Sequence, residues 1–490
     1  MKHIGRLPAL IALAILFLSS LHSCGTRSGY EFEALYEGLP FEMPQVRRPD
    51  IPRRTVRLSD FGAVGDGITL NTQAFADAIE ALVQKGGGRL EVGEGIWRTG
   101  PVTLQSHIEL HLEKGAVILF DPDRDLYPII DTNFEGLDVR RCLSPINATD
   151  VHDIAITGPG IIDGSGEYWR ELKKNNASPR TFKRQAGKGG LVAEDGNWYP
   201  DEGYYKARLT AGTLNKPSDE LDEQEIKSFL RPVLVSLRRC ERILLEDCTF
   251  QNSPCWNLHP LWCKDVIIKN VDVRNPSYAT NGDGIDIDAC ENVILTGSRF
   301  DVGDDAVCIK SGKDADGRRH ATPCRNLIIH DCTVYSGHGG FVVGSEMSGG
   351  VENIRVSHCR YIGTEVGLRF KSTRGRGGEV RNIWADHIYM QGILNYGVIF
   401  NLYYAGVASG AARKDNAEQE PIVAVDETTP SFHDIHFSDI VCAGAGQSIY
   451  INGLPEMPVR DIDFTDCLFV ADKGIEQHNA ENIQFNNVHP

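Results

Sequence analysis

The sequence predicts an all-β chain, a right-handed parallel β-helix, and three observations carry that prediction. A polar residue, then Asn, Asp or Arg, then alternating apolar residues recur as "ERILLEDCTF" (241), "KDVIIKNVDV" (264), "ENVILTGSRF" (291), "RNLIIHDCTV" (325), "ENIRVSHCRY" (352) and "RNIWADHIYM" (381). The steps between positions 242, 265, 292, 326, 353 and 382 are 23, 27, 34, 27 and 29 residues, the repeat size of stacked supersecondary units. Within each repeat the apolar period is two and no helical period is sustained, so the unit is a coil of strands. Residues 55 to 490 also exceed what one compact core supports, which stops growing beyond about 250–300 residues, unless the architecture extends in one direction. A leucine-rich horseshoe has a similar period, but its leucine framework and its helix per repeat are missing.

The elements follow in chain order. Residues 1–24, "MKHIGRLPALIALAILFLSSLHSC", combine a basic start, an apolar run and small residues, the pattern of a secretory signal rather than a spanning helix. "LHSC" before Gly25 resembles a bacterial lipobox, with Cys24 as the lipidated residue and the only link to a membrane, in the periplasm or at the cell surface. Residues 25–54 lack periodicity and read as a tether and entry segment. Residues 55–490 form the β-helix domain. Its one early helical pattern, "NTQAFADAIEALVQKGGG", is capped by Asn71 or Thr72, ended by Gly86, and is expected to cover the open end of the solenoid. A long insert, 164–232, interrupts the coils and carries Tyr168, Trp169, Trp198, Tyr199, Tyr204 and Tyr205. These rings serve either to stack on sugars or to anchor the loop. Later coils are marked by "HDIHFSDIVC" (433), "RDIDFTDCLF" (460) and "ENIQFNNVHP" (481).

Thirteen cysteines are present, with Cys240, Cys263, Cys290 and Cys324 at one place in the repeat and Cys248, Cys332, Cys359 and Cys467 at another. Equivalent stacked positions point to core packing for most of them, and no set has zinc spacing. A formal net charge of −17 argues against nucleic acid as a partner, and any acidic ligand needs a local positive site.

That site is readable from register. Successive coils stack about 4.8 Å apart, so residues one repeat apart become neighbours. Asp283 opens "GIDID", Asp304 and Asp305 open "AVCIK", His338 sits in "SGHGGFVVG", and Arg369 and Lys371 share one side of "GLRFKS". Aspartates beside glycine also make ordinary turns, but four successive coils each place a reactive residue at one register. Calcium is a second explanation for clustered aspartates. The spacing of an EF-hand loop is missing, Arg369 and Lys371 oppose a cation, and neither a metal nor any other cofactor is expected.

In this order, "NGD" (281–283), "GDD" (303–305), "GHG" (337–339) and "RFK" (369–371) resemble the four signature segments of glycoside hydrolase family 28, the polygalacturonases. The similarity extends from "DFGAVGDGITLNTQAF" to the late coils, with Gly282 in place of the usual Thr and Phe370 in place of the usual Ile. The resemblance implies inverting hydrolysis of α-linked galacturonic acid in pectic polysaccharides or oligosaccharides. Asp304 is then the general acid, Asp283 and Asp305 hold and deprotonate the water, and His338 tunes the group. Arg369, Lys371 and Asn281 bind substrate. Inversion leads us to expect carboxyls about 6.5–9.5 Å apart, and crowding is expected to raise a carboxyl pKa so that Asp304 stays protonated. "NSPCWNLHP" (252–260), "GSEMSGGV" (344–351) and the insert resemble the exo-acting bacterial branch, implying release of single galacturonates from the non-reducing end. Alternatives are an endo-polygalacturonase, a rhamnogalacturonan hydrolase, a pectate lyase-like enzyme or a non-catalytic pectin-binding β-helix. The oligomeric state has no signature in the sequence.

Overall fold

The asparagine and aspartate residues that mark the repeats do so because of their backbone. In the computed structural model, which describes residues 30–211, 217–404 and 422–490, Asp265, Asn292, Asn326, Asn353 and Asn382 all have φ between 55° and 61°. This left-handed conformation is costly for most side chains and tolerated by Asn and Asp. Their side chains then form a ladder: Asn292 donates to Asp265 (2.9 Å), Asn326 to Asn292 (3.1 Å), Asn353 to Asn326 (3.1 Å) and Asn382 to Asn353 (3.2 Å). Each coil therefore turns at the same place, and the strands beyond the turn stay in register.

The result is a parallel β-helix in which 29 strands join in one continuous ladder among the described residues. A typical coil runs Leu258–Leu261, Lys264–Lys269, Asp272–Arg274, and the next runs Ile285–Asp288, Glu291–Thr296, Arg299–Asp301, each strand parallel to its predecessor. Connections of this kind are right-handed. Inward residues form one continuous apolar core, with aromatic rows such as Phe370 stacked on Phe400 (4.4 Å) and Phe437 on Phe464 (4.6 Å). The twelve cysteines after Cys24 are buried as free thiols, and Cys263 donates to the Leu237 carbonyl at 3.1 Å. Cys24 lies outside the described residues. Residues 30–39 form a small unit of their own, with one helical turn, Glu33–Tyr36. Residues 40–490 form the second unit. Within it Val46 is fully buried, Arg48 is paired to Glu246 (2.8 and 2.7 Å), and the Asp50 amide donates to Asp153.

Helix α1 (Thr72–Val83) buries Ala74, Phe75, Ala78, Ile79 and Leu82 against the first coils and closes the core there. A feature that the sequence did not reveal follows. Strands β1 (Ile129–Phe134) and β2 (Leu137–Cys142) form an antiparallel hairpin, after which β3 (Ile146–Thr149) rejoins the solenoid. The insert contains α2 (Pro179–Ala186) and α3 (Glu202–Ala211) and a small core of its own. That core settles the role of its aromatic residues. Trp169, Trp198, Tyr199 and Tyr204 are at most 4% exposed and Tyr127 meets Trp169 edge-on at 5.3 Å, so these rings anchor the loop. Only Tyr168 stands well out into solvent, at 39% exposure, with Lys188 over its ring.

The solenoid then continues through β4 (Val235–Arg238), β5 (Leu258–Leu261), β6 (Ile285–Asp288), β7 (Val307–Lys310), helix α4 (Asp314–His320), β8 (Phe341–Val343) and β9 (Val366–Lys371). Strands β3 to β9 make one parallel sheet. On its outer side Ser236, His259, Asp286, Cys308, Val342 and Arg369 fall in one register row. The hairpin reaches along four coils of this sheet. Its tip is fastened to the segment after β7, where the Lys313 amide donates to the Gly136 carbonyl (3.0 Å), the Asp138 amide to Asp316 (3.0 Å), and Arg319 and His320 both pair with Asp138.

Candidate active site

Asp283, Asp304 and Asp305 lie at the entries of β6 and β7 and bring one carboxylate oxygen each to within 4.8 Å of the others. The expected separation of about 6.5–9.5 Å is not found. The reason is the solenoid itself: two of the residues are consecutive and the third is one coil away, so the pitch forces them together. Close backbone packing fixes the loop. A Cβ on Gly282 would stand 2.6 Å from the Ala279 Cβ, which explains glycine at that place, and a Cβ on Gly284 would stand 2.4 Å from the Ala306 carbonyl oxygen. Phe370 points into the core between its two outward neighbours, where it joins the ring stack.

Each carboxylate has a different environment. Asp305 is 1% exposed and is held by Lys371 Nζ (2.6 Å) and Arg369 Nη1 (3.4 Å). Asp304 is 23% exposed at its side chain and faces His338, whose Nδ1 is 3.0 Å from Oδ1. Asp283 is 3% exposed and its Oδ1 has no hydrogen-bond partner. These environments decide the protons. Burial, with the charges of Asp304 and Asp286 close by, pushes Asp283 well above the usual carboxylate range. Burial acts in the same sense on Asp304, but the charge and hydrogen bond of His338, with Lys371 and Arg369, outweigh it and hold Asp304 below that range. The expectation that Asp304 carries a raised pKa is therefore corrected for the protein without substrate. Its partner takes the proton instead: chiefly through the Asp304 charge, His338 is raised to about 9.

Arg369 and Lys371 converge as the register required. Asn281 sits at φ 51° with its Oδ1 accepting from Arg231 Nη2 (2.7 Å). Arg231 also donates to the Thr280 and Pro254 carbonyls, so the end of the insert braces the loop that carries Asp283.

Several residues escaped the sequence reading. Tyr404 places its ring 4.8 Å from Lys371 Nζ and 5.5 Å from the Arg369 guanidinium, a platform bordering the cations. Glu365 lies 3.6 Å from His338 Nε2. On the other side Lys310 is buried between Glu346 (2.8 Å) and Asp286 (3.6 Å), with the Trp256 ring at 4.6 Å. Both Asp286 oxygens and Asp288 Oδ1 are buried without a hydrogen-bond donor, which suits ligand hydroxyls. The alternation of "GIDID" could have flagged Asp286 and Asp288 as outward-facing. The three clustered carboxylates could ligate a cation, but the positive charge they need is already supplied by Lys371 and Arg369 on Asp305.

The sequence profile of glycosyl hydrolases family 28 matches residues 220–486, which contain all of these groups from Arg231 to Tyr404. The chain belongs to glycosyl hydrolases family 28. Among relatives, it is 29% identical over 462 residues to a probable polygalacturonase of Vitis vinifera, covering 92% of this chain and 80% of that one. It is 28% identical to the exo-poly-alpha-D-galacturonosidase of Dickeya chrysanthemi, over 72% of this chain and 58% of that longer protein. The hyperthermoactive exopolygalacturonase of Thermotoga maritima superposes with a TM-score of 0.72 at 32% identity, covering 90% of this chain and 94% of that one. This family 28 member is a glycoside hydrolase, and its β1–β2 hairpin runs from the early coils to the segment after β7.

Proposed function

We propose that the protein removes uronic acid units from one end of α-linked galacturonan by inverting hydrolysis, with Asp304 as general acid and Asp283 with Asp305 positioning and deprotonating the attacking water. The observation that carries this reading is the fastening of the hairpin tip beyond β7 through Lys313 and Asp138, which fixes a wall along the sheet whose strand entries carry the carboxylates. On this reading a polymer enters by one end only, and the resemblance to exo-acting members makes that the non-reducing end.

In the mechanism, Arg369 and Lys371 take the carboxylate of the sugar on the leaving side, and the Tyr404 ring packs against it. That negative charge offsets the cations that keep Asp304 ionised. Its proton affinity rises, and the proton held by His338 crosses their 3.0 Å contact to Asp304 and then to the glycosidic oxygen. Asp305, pinned by two cations, has neither oxygen free to attack C1, so it acts on water with Asp283. The names of the relatives support galacturonan as the substrate class. A time course on polygalacturonate tests end-wise action: short products from the first minutes with little loss of viscosity are expected. Rapid viscosity loss with a ladder of mid-length oligomers would refute it.

We further propose that residues 1–24 export the chain and that lipid on Cys24 holds it at the membrane. Cys24→Ala should move the protein from membrane to soluble fractions, and unchanged fractionation would remove the anchor.

A further inference from the structure

Each coil makes a second left-handed turn, beyond the strand that the asparagine ladder opens. Among the described residues from Asp247 to Asn487 the turn residue has φ between 49° and 66° on every coil. Asn, Asp or Gly fills it except on two successive coils, where it is His358 (φ 56°) and His387 (φ 53°). Histidine tolerates this conformation, but it forgoes the short bond that Asn270 gives to Asp247 (2.6 Å) and Asn487 to Asp466 (2.6 Å). Two neighbouring departures from a local rule mark a place where the side chain answers to another demand.

The two imidazoles stand one rung apart, parallel within 3° and with ring centroids 4.7 Å apart. Both residues are exposed, His387 at 55% of its side chain. A ring nitrogen of each and a carboxylate oxygen of Asp386 lie within 4.8 Å of one another. Asp386 is held by Arg355 at 2.9 and 3.3 Å, so the guanidinium charge beside the rings is compensated. An ionised carboxylate only accepts hydrogen bonds. The Nδ1 of His387, 2.9 Å from Asp386 Oδ1, therefore carries hydrogen and the lone pair is on Nε2. A carboxylate behind the imidazole in this way orients a metal-binding histidine and raises its basicity. Among the described residues the His358 ring has stacking contacts, with His387 and with His330 at 4.9 Å, and no hydrogen bond.

We infer that His358 and His387 form a site for one divalent cation of the zinc, copper or nickel class, with Asp386 orienting His387 and water completing the shell. Imidazole nitrogens suit these metals, whereas calcium and magnesium take oxygen ligands. A metal about 2.0–2.1 Å from each nitrogen requires the two rings to lean together by roughly an ångström, which exposed side chains on a rigid sheet allow. Bound there, the cation ties the strand Val351–Ser357 to the strand Glu379–Asn401 from outside the core. The site lies at a turn remote in the coil from the sheet of β3 to β9, so it acts on the stability of the solenoid and not on the reaction.

The test is calorimetric titration of zinc chloride into the full chain without an affinity tag. One zinc equivalent should bind at least tenfold more weakly in His358→Asn and in His387→Asn, which carry the residue type that other coils place at this turn. Asp386→Asn should weaken the same equivalent about tenfold or more. Circular dichroism and polygalacturonate hydrolysis of both histidine variants should match wild type, which separates loss of metal from loss of fold. Equal zinc affinity and stoichiometry in wild type and both histidine variants would overturn the site and leave the rings as a packing stack. Calcium titrated in the same way should not distinguish the variants from wild type, and a calcium affinity that fell with them would overturn the assignment to imidazole-binding metals. A reading that needs no variant is the electron paramagnetic resonance of copper(II) on the wild-type chain: nitrogen couplings from two imidazoles are expected, and a shell of oxygen alone would overturn the inference.

Discussion

His338 Nδ1 stands 3.0 Å from Asp304 Oδ1 while its Nε2 stands 3.6 Å from Glu365 Oε1, so the imidazole is a cation between two carboxylates. One proton is shared by the histidine and the residue proposed to donate it. In the mechanism proposed above the pair works as a reservoir: the acid is ionised at rest and recharged from its neighbour when substrate arrives.

The pH profile follows from that sharing. With His338 raised to about 9 by Asp304, kcat/KM, which reports the free enzyme, should hold through neutrality and fall as pH rises through about 9. In His338→Gln the reservoir is gone and Asp304 must hold the proton alone, so the alkaline limb should move down by several pH units and the rate at pH 7 should drop about 10²-fold or more. Superimposable profiles for the two proteins would exclude the shared proton.

Stability carries the same signature with a definite sign. A histidine raised in the folded state binds its proton more tightly there than in the unfolded chain, so its contribution is complete below the ordinary histidine value of 6.5 and is lost as pH rises through about 9. The Tm difference between wild type and His338→Gln should therefore be largest near pH 6 and shrink towards pH 9.5. Calorimetry at both pH values checks it.

Asp304→Asn preserves shape while removing the proton donor. Turnover should fall about 10²–10⁴-fold with oligogalacturonate affinity retained within a few-fold, measured by titration. A variant that hydrolyses at a near-normal rate would transfer the acid role elsewhere, with Asp283, whose carboxyl burial pushes well above the usual carboxylate range, as the next residue to replace.

The close approach of the three carboxylates makes stereochemistry worth measuring directly, because spacing alone would also suit retention. Proton NMR at early times should show the β anomer from the α linkage. An initial α product would mean that a carboxylate attacks C1 and that the grip of Arg369 and Lys371 on Asp305 does not prevent it.

The coils were legible because their turns demand a left-handed residue, so Asn or Asp returns at every repeat from Asp265 to Asn382. The carboxylate cluster was legible for the same reason, since parallel register converts repeat position into adjacency. The hairpin was not legible. Its strands alternate like those of a coil, and its turn, Glu135 at φ 51° and Gly136 at φ 72°, lacks the Asn-Gly or Asp-Gly pair that usually announces this geometry. Tyr404 reaches the cations from outside any repeat, so no spacing pointed to it. The position of the proton depended on how close His338, Lys371 and Arg369 stand to Asp304, and the spacing of the motifs gives their adjacency but not those distances. The insert's aromatic residues were recognisable as a group, but whether they faced sugar or a core of their own required the packing of Trp169 and Tyr204.

Stacking by a fixed pitch also makes the sheet from β3 to β9 a ruler. Asp283, Asp304, His338 and Lys371 occupy consecutive rungs, so the distance between any two functional groups changes only in whole steps of about 4.8 Å. Adding or deleting one complete coil on the hairpin side of Asp283 would leave the chemistry untouched and lengthen or shorten the closed end by about one sugar. Under the end-wise action proposed above, the size of the released product is thus set by the count of coils beneath the hairpin, a quantity that can be altered in integers without redesigning the carboxylate cluster.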